Sequence, residues 1–316
     1  MNLGNLVLKQ KIMRRVLLSL IPLIIFSVFL FGLRMLVLLA LICIIGILSE
    51  YAAMRLINGK GAKVSEAVLV SCFLFTLTLP PATPFWVAGI GIAFGIFFGK
   101  GVFGGFGRNI FNPALVGRCL VYVSFPAYLT AGWSAPFTAL PGGFAHFGTL
   151  DALAMATPMS LMKDAGTMTS YGKLFLGTIA GSAGETSALL ILCAAIYLLV
   201  TKTASWRIML SCALSFAVFS LVLFLLGETQ ADPLFSLLSG GFLFGTVFMA
   251  TDPVSAPANK TAQLLYGVLI AAATLLIRTY SLFTEGMMFA ILFANTFAPL
   301  LERQIKELKA RKKVAA

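Results

Sequence analysis

The sequence predicts an all-α protein that crosses a membrane many times, and its composition and its apolar runs both indicate this. Of its 316 residues, 59% are hydrophobic and 11% are charged, and the mean hydropathy is +0.99, well above that of a soluble globular domain. The run 16–32 can cross a bilayer only as a helix, because lipid offers the backbone no hydrogen-bond partners. A cleavable signal peptide is the alternative for this run, but the run is long and another follows at once, so we expect a retained helix.

About ten runs have the length that a bilayer requires, and Gly or Pro shortens or interrupts some of them. They are predicted at 16–33, 35–53, 66–80, 85–99, 109–126, 174–200, 205–226, 234–250, 262–278 and 282–301. Basic residues follow each even-numbered run, including Lys100 and Arg108 after the fourth, which predicts that both termini are cytoplasmic and that 127–173 lies on the opposite side. The net charge of +12 therefore indicates membrane topology rather than nucleic-acid binding.

An internal repeat is predicted from two Pro-containing segments. Phe75–Pro84 and Phe248–Pro257 share one Phe, one Thr and two Pro at an offset of 173 residues, and each follows the third span of its half. With five spans per half, the second copy enters the membrane from the opposite side, although chance identity in so biased a composition is the alternative. The predicted units are a first five-helix repeat at 1–126, an extracytoplasmic segment at 127–173, and a second repeat with a basic cytoplasmic tail at 174–316.

The run from Gly99 to Arg118 is the most distinctive motif. Its glycines permit close approach of a ligand to the backbone, and its two arginines can hold a phosphate or a carboxylate. A cytoplasmic loop with snorkelling arginines is the alternative. The candidate cofactor-binding residues in this run are Gly104, Gly105, Gly107, Arg108, Asn112 and Arg118.

Two acidic residues in apolar surroundings are candidates for an ion path. Asp252 ends an apolar run, and Glu185 lies within another, where an ionisable group is costly and is often functional. A plain loop acid and ordinary helix–helix hydrogen bonding are the respective alternatives. The five cysteines are scattered singly, which predicts packing roles rather than a metal site.

Three motifs together resemble one known family: FGGFGRNIFNPALVGR, MATDPVSAP and DALAMATPM. They are similar to motifs of the RnfD membrane protein of Rnf complexes and of the related NqrB protein of sodium-pumping NADH:quinone oxidoreductase. The resemblance covers nearly the whole chain, and the length is closer to RnfD, because NqrB carries a longer N-terminal extension. It implies a urea-channel-like fold of two inverted five-helix halves in the bacterial cytoplasmic (inner) membrane.

The resemblance also implies that a threonine carries FMN through a phosphoester. The family motif places Asp, four variable residues, and Ala or Ser before that threonine, which matches Asp151, Ala156 and Thr157 here. Many relatives have Ser-Gly where this chain has Ala154 and Met155. Thr157 falls in the predicted extracytoplasmic segment, the side on which the family's flavin transferase works. The residues alone favour a helix-capping threonine before Pro158.

A second, non-covalent flavin, riboflavin, is implied by the resemblance to NqrB, and we expect it near Gly99–Gly107 and Asn112. The implied partners are membrane lipid, the flavin transferase, and the other Rnf-type subunits, namely membrane subunits, cytoplasmic iron–sulfur or NAD-binding subunits and a second flavin subunit. The implied function is a ferredoxin:NAD oxidoreductase whose electron flow is coupled to Na⁺ or H⁺ transport, with no catalytic residue in this chain alone. A solute channel and a structural scaffold are the alternatives.

Overall fold

The chain forms a bundle of helices, and the computed structural model describes residues 7–130, 132–148, 155–281, 283 and 285–314. The α-helices are α1 (Lys11–Phe31), α2 (Arg34–Asn58), α3 (Ala67–Leu77), α4 (Phe85–Ile96), α5 (Pro113–Ser124), α6 (Pro126–Thr130), α7 (Pro158–Ala165), α8 (Tyr171–Leu176), α9 (Ala188–Val200), α10 (Trp206–Leu225), α11 (Pro233–Leu238), α12 (Phe242–Phe244), α13 (Lys260–Tyr280) and α14 (Met287–Val314). Two π-helical turns, Phe97–Gly101 and Gly245–Met249, extend α4 and α12. The strands β1 (Val7–Leu8) and β2 (Val64–Ser65) pair in parallel, and 3₁₀ turns lie at Gly59–Gly61 and Gly142–Ala145.

The helices confirm the prediction of a polytopic membrane protein. Among the described residues, α1, α2, α10 and α13 are each long and apolar enough to cross a bilayer. Four shorter helices, α3, α4, α5 and α9, are also apolar. Large apolar side chains on the outside of the bundle, such as Ile44, Leu48 and Leu225, are exposed, as expected of residues that face lipid.

Two predicted spans are interrupted in the middle. Residues 177–187 separate α8 from α9 without helical structure, and residues 239–241 separate α11 from α12. Gly177 and Gly241 have positive φ at these breaks, a conformation that other residues rarely adopt. Irregular backbone at membrane depth is tolerated where it is buried in protein, and it commonly marks a site.

The loops gather at two ends of the bundle, in the two groups that the charge pattern predicts. At the first end, which we call the basic end, the Arg15 guanidinium donates to the Thr201 carbonyl at 2.7 Å, and Ser205 Oγ donates to Gln263 at 2.8 Å. At the opposite end, which we call the loop end, the Leu33 N–H donates to the His146 carbonyl at 2.9 Å. The cytoplasmic assignment of the basic end stays a prediction.

The two halves use corresponding helix pairs. In the first half α2 packs on α4 and α4 on α5, and in the second half α10 packs on α13 and α13 on α14. Small residues permit the close approach of α4 to α5, because a Cβ on Gly99 would lie 3.1 Å from the Pro113 Cα. The inverted orientation of the halves stays a prediction that this correspondence supports.

One interrupted segment of the second half contacts the end of α3 in the first half. The Ala183 N–H donates to the Leu79 carbonyl at 3.1 Å, and the Gly184 N–H donates to the Leu77 carbonyl at 2.7 Å. These bonds satisfy backbone carbonyls at the end of α3, where helix geometry leaves acceptors without intrahelical partners. The 177–187 segment is therefore fixed against the end of α3.

Candidate functional site

Thr157 begins helix α7 at the loop end. Its Oγ1 accepts a hydrogen bond from the Ser160 N–H at 3.2 Å and lies 3.0 Å from Ser160 Oγ, while Pro158 occupies the first helical position. The side chain is a helix cap, as one of the two interpretations of the sequence predicts. Thr157 is 9% exposed, whereas Met155 and Ala156 are exposed, so the chain approaches it along the surface. Asp151, the first residue of the predicted motif, lies outside the described residues.

Thr157 borders a small cavity that extends toward the interface between the halves. The cavity wall includes both interrupted segments, because residues 179–182 and 185–186 and the pair Gly240–Gly241 line it. Two carboxylates, those of Glu185 and Glu285, lie on the same wall. Thr157, the predicted site of flavin attachment, and Glu185, a predicted ion-path residue, thus line the same cavity. We call it the outer cavity.

Arg118 holds both of these carboxylates. Its Nη1 lies 3.3 Å from Glu185 Oε1, and its Nη2 donates to Glu285 Oε2. The side chains are buried, with exposed fractions of 6%, 7% and 17% for Arg118, Glu185 and Glu285. Arg118 belongs to α5 in the first half, whereas both glutamates belong to the second. We call these three residues the outer cluster.

A second buried arginine lies beside the outer cluster. Arg278 Nη1 donates to the Ser236 carbonyl at 2.8 Å, and its Nη2 donates to the carbonyls of Ser239, at 3.2 Å, and Gly240. These carbonyls end α11, where helix geometry leaves acceptors without intrahelical partners. Two guanidinium groups therefore accompany two carboxylates, which limits the electrostatic cost of burying them together.

A second cavity lies between the halves near the basic end, and we call it the inner cavity. Its wall combines an ammonium group, amides, a carboxylate and aromatic rings, from Lys100, Phe106, Asn109, Asn112, Phe248, Thr251 and Asp252. It shares Asp252 and Pro253 with an opening of about 480 Å³, and Phe106 and Pro253 with another of about 560 Å³. The inner cavity itself has a volume of about 50 Å³, so a ligand of ordinary small-molecule size would have to extend from it into these openings.

Two predicted site residues form local turns at the inner cavity. Asn112 Oδ1 accepts from the Ala114 N–H at 3.0 Å and caps α5. The Asp252 carboxylate accepts from the Val254 N–H at 3.2 Å and from Ser255 Oγ at 3.1 Å. Both side chains are thereby held in place while they border the cavity.

Lys100 faces the inner cavity from a buried ion pair. Its Nζ lies 2.7 Å from Glu50 Oε1 and donates to Ser65 Oγ at 2.6 Å, and the Lys100 and Glu50 side chains are each 2% exposed. The sequence interpretation counted Lys100 among the basic loop residues, and burial of its side chain corrects that expectation. The π-helical turn Phe97–Gly101 accounts for the difference, because it continues α4 through Lys100 into the protein.

The structure divides the predicted residues of the Gly99–Arg118 run among three places. Asn112 borders the inner cavity, Arg118 belongs to the outer cluster, and Arg108 is exposed outside both. The loop that carries Phe106 to the wall of the inner cavity turns at three glycines with positive φ, which are Gly104, Gly105 and Gly107. Sequence reasoning missed Glu50, Lys100 and Glu285, although a carboxyl group in the apolar run of α2 was a signal for the first.

The comparisons with known proteins agree on one family. The family model described as NQR2, RnfD, RnfE matches residues 7–311. The chain is 40% identical over 266 residues to the B component of the Na⁺-translocating NADH-quinone reductase of Pseudomonas paraeruginosa, covering 80% of this chain and 63% of that protein. It is 42% identical over 252 residues to the protein of the same name in Chromohalobacter salexigens, covering 77% and 59%.

The chain thus spans 63% or less of the length of these two relatives. The family model, in contrast, covers nearly all of the residues that form the helices, the outer cluster and the inner cavity. On this match the chain belongs to the NQR2, RnfD, RnfE family.

Proposed function

We propose that this chain is the flavin-carrying membrane subunit of an ion-translocating oxidoreductase complex, of the Rnf-type ferredoxin:NAD class. FMN is held on Thr157 by a phosphoester, and electron transfer is coupled to transport of Na⁺ or H⁺. The relatives are named as subunits of a Na⁺-translocating reductase, which supports the coarser part of this proposal. The observation that carries the finer part is the position of Thr157, between an exposed approach and the buried charges of the outer cluster.

The surroundings of Thr157 suit a phosphoester. The hydroxyl lies at the amino end of α7, where the helix dipole and free backbone N–H groups favour a negative charge. Met155 and Ala156 just before it are exposed, so a local rearrangement at the surface would bring the buried threonine within reach of a flavin transferase. The bound flavin supplies one- or two-electron transfer, and the protein positions it and tunes it electrostatically.

The inner cavity suits a second, non-covalent flavin such as riboflavin. Phe106 and Phe248 offer aromatic faces, and Asn109 and Asn112 offer amide donors and acceptors. This site lies at the basic end, whereas Thr157 lies at the loop end. The two flavins would therefore be electron carriers on opposite sides of the membrane. Partner subunits would supply electrons to them and accept electrons from them.

Ion transport would use the acidic residues at the same two places. Asp252 borders the inner cavity and Glu185 borders the outer cavity, and each lies at the interface between the halves. Buried ionisable groups within a membrane are usual in ion paths. We infer that the remaining Rnf-type subunits, the cytoplasmic (inner) membrane and cytoplasmic termini complete the arrangement.

The test is in-gel flavin fluorescence of the denatured protein, produced together with the flavin transferase. We expect a fluorescent wild-type band, no fluorescence in Thr157→Ala, and retained fluorescence in the control Ser160→Ala, which alters the neighbouring hydroxyl. A dark wild-type band would refute covalent attachment. Solute-flux measurements would then test the channel alternative, in which the two cavities belong to one pore.

A further inference from the structure

The inner cavity contains an ammonium group with unused hydrogen-bonding capacity. Lys100 Nζ contacts Glu50 Oε1 at 2.7 Å and Ser65 Oγ at 2.6 Å. Ser65 Oγ in turn donates to Glu50 Oε1 at 2.8 Å, so the three groups form a closed triangle. An ammonium group has three N–H donors. Two are used within the triangle, and because Lys100 lines the cavity, the third is available to a ligand there.

Stability alone does not account for this ion pair. Burying two opposite charges commonly costs as much as their attraction returns, and apolar residues of similar size are often as stable. The pair is also incompletely satisfied, because Glu50 Oε2 is buried and has no hydrogen-bond partner among the described residues. An ionisable pair kept at such cost inside a membrane protein indicates a functional role.

The rest of the cavity indicates which ligand the ammonium group would meet. Phe106 lies next to Lys100, with Nζ 5.9 Å from the ring centroid, and Phe248 contributes a second aromatic wall. Amide and carboxylate groups of Asn112 and Asp252 stand at other positions of the same wall. This combination suits a flat heteroaromatic ring that has acceptor atoms along one edge and N–H groups along another.

We propose that Lys100 contacts the ligand of the inner cavity directly, donating a hydrogen bond to a carbonyl oxygen or ring nitrogen at its acceptor edge. This inference rests on the second-flavin part of the proposed function. Glu50 and Ser65 hold the ammonium group in place at the cavity wall. The fixed positive charge then stabilises added negative charge on the ring, so the bound flavin is reduced more easily than it would be without Lys100.

The decisive variant is the double substitution Glu50→Met/Lys100→Met in the complex. Removing both charges together leaves no uncompensated charge in the interior, so this variant should fold. The protein is denatured, and the flavin released into solution is quantified against the covalent flavin retained by the band. We expect the ratio of released to covalent flavin to fall about tenfold or more, the effect of losing one charge-assisted hydrogen bond.

The matched control is Arg14→Met/Glu66→Met. This variant also removes an ion pair at the basic end, but neither residue borders the inner cavity. We expect its flavin ratio to equal that of the wild type. An unchanged ratio in Glu50→Met/Lys100→Met, together with an unchanged reduction potential of the non-covalent flavin before denaturation, would overturn the proposal.

The variant Lys100→Arg provides a second measurement if the double variant does not accumulate. It keeps the charge but changes the position of the donors, so we expect bound flavin with an altered affinity or potential, and wild-type values of both would overturn the proposal. A wild-type complex that releases no flavin would overturn both the second flavin and the role of Lys100. Covalent attachment at Thr157 would be unaffected, because the denatured band reports it separately.

Discussion

The outer cluster and the Lys100–Glu50 pair are both buried ionic groups, but they connect different parts of the protein. In the outer cluster the cation comes from the first half and both anions from the second, so the ionic contacts cross the interface. Lys100 and Glu50 both belong to the first half, and Lys100 lines the inner cavity, whose wall comes from both halves. The comparison indicates that the outer cluster stabilises the contact between the halves, while the Lys100–Glu50 pair positions a ligand-binding group within the first half.

The largest effect expected from this comparison is that of Arg118→Met. The substitution leaves the carboxylates of Glu185 and Glu285 buried without their shared cation, and we expect it to destabilise the protein by about 3–5 kcal/mol. Thermal unfolding in detergent, followed by loss of the monodisperse peak in size-exclusion chromatography, measures this. The control Arg303→Met breaks an exposed pair, with exposed fractions of 77% and 44%, and should cost less than about 0.5 kcal/mol. Equal stability of the two variants would contradict the difference between buried and exposed pairs.

The inner pair should differ from the outer cluster in how it can be rescued. Lys100→Met leaves Glu50 uncompensated and should cost about 3 kcal/mol or more, and a second substitution, Glu50→Met, should restore most of the loss. Adding Glu185→Met to Arg118→Met should restore much less, because Glu285 still lacks its ion-pair partner. The same thermal measurement gives both double-mutant cycles. Similar rescue in the two cycles would show that Glu285 does not depend on Arg118.

A smaller effect on stability is expected at residues 239–241, the interruption between α11 and α12 that lines the outer cavity. Gly241 has φ of 63°, and a Cβ there would lie 2.8 Å from the Glu185 carboxyl carbon. Gly241→Ala should therefore cost about 2–3 kcal/mol through backbone strain and displacement of the glutamate. Gly227→Ala is the control, because Gly227 also has positive φ but nothing lies within 4 Å of the added Cβ. We expect Gly227→Ala to cost about 1 kcal/mol. An equal loss of stability at both positions would show that the contact with Glu185 does not contribute to the cost of Gly241→Ala.

The smallest effect concerns Glu66, which precedes α3 at the basic end and forms an ion pair with Arg14 in the first turn of α1. The Arg14 side chain and the Gln10 N–H lower the pKa of Glu66 from its usual value. Because the folded pKa lies below the unfolded value of about 4.3, the interaction stabilises the protein above that pH and is lost as pH falls through the folded pKa. Wild type and Glu66→Gln should differ in melting temperature at pH 7 and converge as the pH falls below about 4. A difference that persists at the lower pH would contradict an electrostatic origin.

Much of the fold could be predicted from the sequence, because span length and loop charge depend on local composition. The same holds for Asp252 and Glu185, which stand out as ionisable residues in apolar runs, and for the cap at Thr157, which depends on three neighbouring residues. The partners of Arg118 could not be predicted, since they lie 67 and 167 residues away in the chain. Lys100 was misassigned because a basic residue beside glycines has the same local pattern in a loop and in a π-helical turn.

The bonds from Ala183 and Gly184 to the end of α3 also bear on how the protein is made. Helix α9 has 13 residues, so it spans about 20 Å, which is shorter than a bilayer core of about 30 Å. Such a segment enters a membrane poorly by itself, and its preceding irregular stretch needs the Leu77 and Leu79 carbonyls as acceptors. During synthesis the first half is completed well before this crossing emerges. We therefore expect the first half to serve as a template for insertion of the second, so that the order of the halves along the chain matters for biogenesis.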